Sequence, residues 1–575
     1  MSAFFRNLIC CFLLFNNVFA QYSLHLKFND EQKISKRFKQ KINFSNEADF
    51  NKELQKVVTQ LQSFGFLTVN VDSIISLNFN KTTYLTLGKR YKWTELKIDK
   101  KDALVFADAG LEEKSYRQQF FSPKELNKIH TRLLNYLENN GYPFASIKFD
   151  SVLILPNSIS AKLKIEKNKF ILVDSIKQEP NIVVSKNFIS HYLQIKEGMP
   201  YSEKRNTEIS KKLKQLPFLK ENKSALVRIT DKTTKLYLFL DKKNASQFDG
   251  IIGLLPDAKG KTVFTGDVKI KLQNSILKAG ELLEINFRRL QLQTQDIFVK
   301  ANYPYLFSTP VGTDYSIKIY RKDTTFVDVN NSFAIQYLFD GLNNIKLFYK
   351  QRNASLISTA AYENTTVLPE FADMKTVSYG IGCTIEKLDY KFNPRKGINF
   401  NLQASAGNRT IKQNPRINEV VYKDLTLFSA QYQAEMNVHF YLPLAKKATI
   451  KIGFQSAGLV SPKIFRNELF RIGGLKTLRG FDEESIFAST FVIPTLEYRY
   501  LFEENSALFL FIEGAWYESK SGENKIYDTP VSFGTGINFE TKAGIFSLNY
   551  AIGKQFSNSF DLRTGKIHFG IINKF

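Results

Sequence analysis

The chain has 575 residues, a formal net charge of +25 and 14% aromatic residues, 51 of them Phe and 26 Tyr. That length is too great for one ordinary domain and fits roughly three to four units. After the first twenty residues there is no apolar run of the roughly 18 residues that a bilayer-spanning helix needs. A mature chain that crosses a membrane would therefore be a closed barrel, because backbone polar groups in lipid must pair internally.

Residues 1–20 read as a secretory signal. Arg6 supplies the positive start, Leu8 to Phe15 the apolar stretch, and Val18-Phe19-Ala20 the cut before Gln21. Cys10 and Cys11 lack the small residues ahead of them that a lipoprotein signal carries. Cleavage removes one Arg and no acid, lowering the charge to +24, and leaves Cys383 alone, so no intrachain disulfide forms. The basic balance admits nucleic acid, anionic lipid or acidic partners. An export signal argues against nucleic acid. The scattered Lys and Arg fit solubility and contact with anionic headgroups.

To about residue 245 the pattern mixes helix and strand, with a weak repeat. A helical stretch, Asn51 to Gln62, precedes Gly65 and an alternating strand to Ser73. Another, Lys124 to Glu138, precedes Gly141 and a strand to Ser151. Glycine is a plausible cap at both helix ends. A third unit follows. It has a strand over Phe170 to Ile176, a helix from Ser202 as N-cap to Leu216, and strands near Ala225 to Ile229 and Leu236 to Leu240. The expectation is three βααββ modules, at 23–90, 91–168 and 169–243; a single irregular α+β domain is the alternative.

From Phe248 strict alternation takes over. Leu283, Ile285 and Phe287 alternate with Glu284, Asn286 and Arg288; Ile398, Phe400 and Leu402 with Asn399, Asn401 and Gln403; and Phe546, Leu548, Tyr550 and Ile552 with Ser547, Asn549 and Ala551. A soluble sandwich turns such apolar faces inward, whereas a membrane barrel turns them to lipid. The export signal and the terminal aromatic, Phe575, favour the barrel. At about 10 residues per strand with roughly equal connections, residues 248–575 accommodate about 16 strands.

With these residues in view, the chain resembles the BamA/TamA superfamily of outer-membrane barrels with periplasmic POTRA modules, and within it the short TamA-like members of Bacteroidetes-type bacteria. The resemblance covers nearly the whole mature chain. It rests on the three modules, Phe248 to Gly253, Asn302 to Phe307, Asn393 to Gly397, Gly473 to Phe481, and the strand Lys566 to Phe575. It implies an α+β POTRA region followed by an all-β transmembrane barrel of about 16 antiparallel strands.

Arg479-Gly480-Phe481 matches the family's Arg-Gly-aromatic motif, at the tip of a loop that folds into the lumen. Gly473, Gly474 and Gly480 would let the loop turn tightly. The resemblance implies Glu497 and Glu513 as the acidic partners of Arg479 on the inner wall. It also implies that the strand with Ile567, Phe569, Ile571 and Phe575 on one face closes the barrel against Phe248 to Leu255. Gly250 and Gly253 weaken that junction. The alternatives are a solvated arginine and a barrel that never opens.

His25, His130, His191, His439 and His568 show no metal-ligand spacing. No G-x-S-x-G elbow occurs, and Gly260-Lys261-Thr262 lacks the upstream glycine of a phosphate loop. No catalytic residue, metal or cofactor is expected. The implied partners are unfolded outer-membrane or secreted client proteins, outer-membrane lipids and a periplasm-spanning protein, but not nucleic acid. The leading reading is a factor that inserts or translocates other proteins. A pore dedicated to one exported protein and a passive porin are the alternatives.

Overall fold

The computed structural model describes residues 22–29, 43–44, 46–77, 80–256, 262–291, 294–360, 362, 365, 369–391, 393–521, 525–541 and 544–574. The signal reading of residues 1–20, the Gly260-Lys261 pair and Phe575 lie outside them. Two compact units result. One holds the chain to 172 with 200–204, the other 173–199 with 205–575.

The first unit contains two sheets, each under a long helix. Helix Glu47–Ser63 starts where the Asn46 side chain accepts the Asp49 N–H at 2.8 Å. Its buried Phe50, Leu54, Val57 and Leu61 recur at helical spacing. They cover a sheet ordered Asn43–Phe44, Tyr22–Phe28, Asn80–Thr86, Asn70–Leu77. Helix Pro123–Asn139 opens on a proline, whose missing N–H costs nothing at that position. It buries Ile129, Leu133 and Leu137 on the sheet Lys92–Ile98, Ser158–Glu166, Ser146–Leu155. Gly65 and Gly141 follow these helices at φ of +96° and +91°. The Gly65 carbonyl accepts the Tyr91 N–H at 3.1 Å, and the Phe64 carbonyl accepts Arg90 Nε at 2.6 Å, so the end of the first helix is built into the start of the second sheet.

The second unit opens with a third sheet, ordered Ser175–Pro180, Thr234–Lys242, Leu219–Ile229, beneath helices Lys186–Leu193 and Glu203–Lys214. The strand expected over Phe170 to Ile176 is displaced to Ser175–Pro180. The physical reason is that Ile171 and Leu172 pair elsewhere. Ile171 donates to Gly141 O at 2.8 Å and accepts from Tyr201 N at 3.0 Å, and Leu172 forms an isolated bridge to Pro200. In all three sheets the strand after the helices lies at an edge, with one side of its backbone unpaired by the sheet.

Sixteen antiparallel strands then close a barrel, from Gln247–Pro256 to Lys566–Lys574. Two of them are interrupted, Ala507–Gly514 continuing as Trp516–Ser519 and Ile526–Asp528 as Val531–Thr541. The alternation resolves into two walls. On Phe326–Asp340, Phe333, Ile335 and Tyr337 are exposed outward, while Ala334 and Gln336 are buried within. An exposed apolar outer wall around a polar interior is the inverse of a soluble sandwich and suits lipid.

The third sheet is seated on the barrel rim next to it. Tyr305, in the turn between Thr294–Tyr303 and Val311–Lys322, is buried in that sheet's core beside Phe188 and Leu338. Its hydroxyl donates to Gly341 O, and its carbonyl accepts Asn187 Nδ2 at 2.8 Å. Lys212 pairs with Asp340 at 3.1 Å. The Asn302 to Phe307 segment thus plugs one rim turn into the neighbouring domain.

Candidate functional site

The connection from Ala448–Val460 to Thr490–Leu501 folds into the barrel on a short ladder, Phe470–Ile472 with Ile486–Ala488. Leu478 and Phe481 bury with Ile472, Ile486, Phe491, Ile493 and Tyr517, a small apolar core inside a polar lumen. At the tip Gly473, Gly474 and Gly480 have φ of +111°, +92° and +89°, which side chains strongly disfavour. A Cβ on Gly480 would lie 3.0 Å from the Gly553 nitrogen and 3.1 Å from Ser532 Cβ, so the main chain there lies directly on the wall.

That approach delivers Arg479 to the inner wall. Its Nε and Nη2 donate to Glu513 Oε1 at 2.8 and 2.5 Å, and its backbone N–H donates to Glu513 Oε2 at 2.8 Å. Nη1 lies 2.9 Å from Glu497 Oε2. The guanidinium carbon sits 3.4 Å from the centroid of the Phe511 ring. Glu513 grips main chain and side chain together, which fixes the register of the tip as well as its charge. Glu497 is shared with Arg499, whose Nε approaches Oε1 at 2.5 Å. The side chains of Arg479, Glu497 and Glu513 retain 9%, 2% and 4% exposure, so water screens these ion pairs little.

The tip also reaches other strands. Glu484 pairs with Arg288 and, at 3.1 Å, with Arg471; Glu483 lies 3.7 Å from Arg288. Asp482 meets Lys566, at the start of the closing strand, at 2.7 Å. The loop therefore contacts strands on both sides of the barrel junction. At that junction only Gln247↔Lys574 and Phe248↔Asn573 pair among the described residues, against ten pairs between the first two strands. The pairing is narrower than the expected Phe248 to Leu255: among the described residues it ends at Phe248, before Asp249 and Gly250. Ile567 and Phe569 are exposed on the closing strand, and Ile571 is half-buried. A cavity of about 570 Å³ lies behind the junction, bounded by Lys269, Lys451, Arg479, Glu513, Asn549 and Gly570 among others.

A second anchor carries no motif. Glu468, at the base of the loop, accepts Arg409 Nη1 at 3.0 Å, Gln431 Nε2 at 2.7 Å and the Phe465 N–H at 2.8 Å. Both partners of this ion pair have fully buried side chains. Nearby, Arg352 forks onto Asp328 at 3.0 and 2.6 Å and donates to Asn467 O. The available signal was Arg409 itself, a charge on the polar face of Gly397–Ile411 after Ser405 and Gly407.

Among the described residues no group of His, Cys, Asp and Glu could hold a metal ion. What the arrangement does chemically is hold: fixed cations and anions lock a loop inside a barrel.

Residues 276–575 match the Omp85 superfamily domain. Among solved structures the chain is similar to CdiB from Escherichia coli, with 11% identity, a TM-score of 0.54, and 92% of this chain and 98% of that one covered. It is also similar to CdiB from Acinetobacter baumannii, with 13% identity, a TM-score of 0.51 and the same coverage. BamA from Haemophilus ducreyi lacking POTRA domains 1–3 aligns with 84% of this chain and 100% of its own, at 16% identity and a TM-score of 0.43. No curated protein sequence matches. The domain match spans more than half of the chain and covers the barrel from its third strand onward; the chain belongs to the Omp85 superfamily of outer-membrane β-barrels, with POTRA-like sheets ahead of the barrel.

Proposed function

We propose that this protein assists the insertion of other proteins into the outer membrane of a Gram-negative bacterium, or their translocation across it, and performs no catalysis. The observation that carries the reading is the charge-locked loop inside a barrel whose closing junction, among the described residues, is paired at two positions. A passive pore has no need of either. The POTRA-like sheets, in the periplasm on this reading, offer edge strands to which an unfolded client adds a strand through main-chain hydrogen bonds. Client strands then reach the bilayer at the weak junction, while Arg479 on Glu497 and Glu513 keeps the lumen side in its working conformation. Three sheets ahead of the barrel fit the short TamA-like form.

The test is the outer-membrane proteome after depletion, with rescue by the wild-type chain or by Arg479→Ala. Loss of many barrel proteins, restored by wild type and not by the variant, is expected. Loss of one secreted protein alone would reassign the chain as a dedicated pore. An unchanged proteome would overturn the reading.

A further inference from the structure

The turn between the second and third barrel strands, residues 274–281, is built with unusual care for a rim turn. The Glu281 carboxylate accepts the N–H groups of Ile276, Leu277 and Ala279 at 2.8, 2.9 and 2.9 Å, and Gly280 N–H donates to Asn274 Oδ1 at 2.9 Å. Burial raises the Glu281 carboxyl, but those N–H donors prevail and hold it below its ordinary value. The caged turn nevertheless leaves Ile276 62% and Leu277 60% exposed. A rigid turn that directs two large apolar side chains away from the protein is arranged for something outside it.

The same turn is bound to the third POTRA-like sheet. Ser185 N–H donates to Lys278 O at 2.6 Å, Asn274 Nδ2 to Val183 O at 3.3 Å, and Lys278 Nζ to Ile182 O at 3.5 Å. Ile182, on the domain side of this contact, is 67% exposed. One apolar patch thus runs from barrel turn to soluble domain, with Lys278 within it. Residues 169–243 carry 16 Lys and Arg against 8 Asp and Glu. The turn follows directly on strand Thr262–Gln273 of the barrel wall and lies two strands from the junction.

We infer that Ile182, Ile276, Leu277 and Lys278 form a membrane foot, which rests the barrel-proximal domain on the adjoining leaflet and takes anionic phospholipid as its partner. Continuity with the barrel's lipid face places apolar groups in the interface, and the basic domain supplies the complementary charge. The foot would hold the domain at a set angle beside the junction, independently of which clients the protein handles.

The test uses the full mature chain with Cys383→Ser and one new cysteine, at Leu277 or at Ile182, labelled with an environment-sensitive dye. Heat-modifiable gel migration verifies that each labelled barrel is folded. In vesicles of phosphatidylcholine and phosphatidylglycerol, both labels are expected to emit as if in the interface, and to be quenched by nitroxides on the lipid chains and not by aqueous iodide. A label at Ile182 that iodide reaches and lipid nitroxide does not would overturn the foot, even with Leu277 in lipid. In phosphatidylcholine alone, or with Lys278→Ser, quenching at Ile182 is expected to weaken; equal quenching would overturn the anionic-lipid assignment.

Discussion

The lumen loop is anchored twice, with opposite polarity and different surroundings. At its base a loop acid, Glu468, meets a wall cation, Arg409, and both side chains are fully buried. At its tip a loop cation, Arg479, meets wall acids beside a cavity that reaches the closing strand. Both anchors border a cavity, but the base pair is fully buried and Glu468 also holds Gln431 and the Phe465 N–H, whereas the tip retains slight exposure and shares Glu497 with Arg499. The difference is one of polarity and sharing: the base is a single closed pair, whereas the tip arginine divides its bonds between two wall acids, one of which a second arginine also holds.

The largest effect is expected at the base. Arg409→Ala strands Glu468 without its cation, at a cost of about 3–5 kcal/mol for a broken buried pair. It should lower the thermal unfolding of the purified barrel followed by circular dichroism. A melt as high as wild type would break the comparison.

At the tip, Arg479→Ala leaves Glu497 with Arg499 and leaves Glu513 without its cation but bordering the cavity, where water can solvate it, so it is expected to cost less stability than Arg409→Ala while reducing client insertion more. Arg479→Lys keeps the charge and loses the fork, so its insertion activity should fall between alanine and wild type. Normal insertion by Arg479→Ala at normal protein level would remove the tip's role.

Gly480→Val imposes a β-branched residue at positive φ against the wall, a strain of roughly 1–3 kcal/mol. It should lift the tip and open the buried Arg479 to trypsin without unfolding the barrel; unchanged protection at Arg479 would contradict the close approach of Gly480 to Gly553. The smallest effect belongs to Asp482→Asn. Asp482 retains 72% side-chain exposure, and an exposed pair with Lys566 contributes about 0–1 kcal/mol. Its melt should match wild type, and a clear drop would show that the tip brace across the junction carries more than a surface ion pair.

Residue by residue, the acids illustrate what is legible. Leu496, Tyr498 and Tyr500 alternate with Glu497 and Arg499, so the parity of the strand assigns the acid to the polar face. Gly65 and Gly141 likewise signal helix ends without any tertiary knowledge. Nothing local marks Arg409 and Glu468 as partners across 59 positions, or Arg288 and Glu484 across 196. Tyr305 is equally silent, since its burial in the third sheet depends on where a rim turn meets another domain.

By itself the sequence determined the period of each segment, the change from mixed to alternating pattern near residue 248, and the two faces of every strand, because side-chain direction repeats every two residues in a strand and every 3.6 in a helix, whatever lies nearby. Only the tertiary structure decided that the junction pairs at two positions among the described residues, that the loop lies inside and grips the wall at base and tip, and that a caged turn shares a patch with the neighbouring domain. Those features rest on contacts between residues far apart in the chain, whose partners exist only after the barrel has closed.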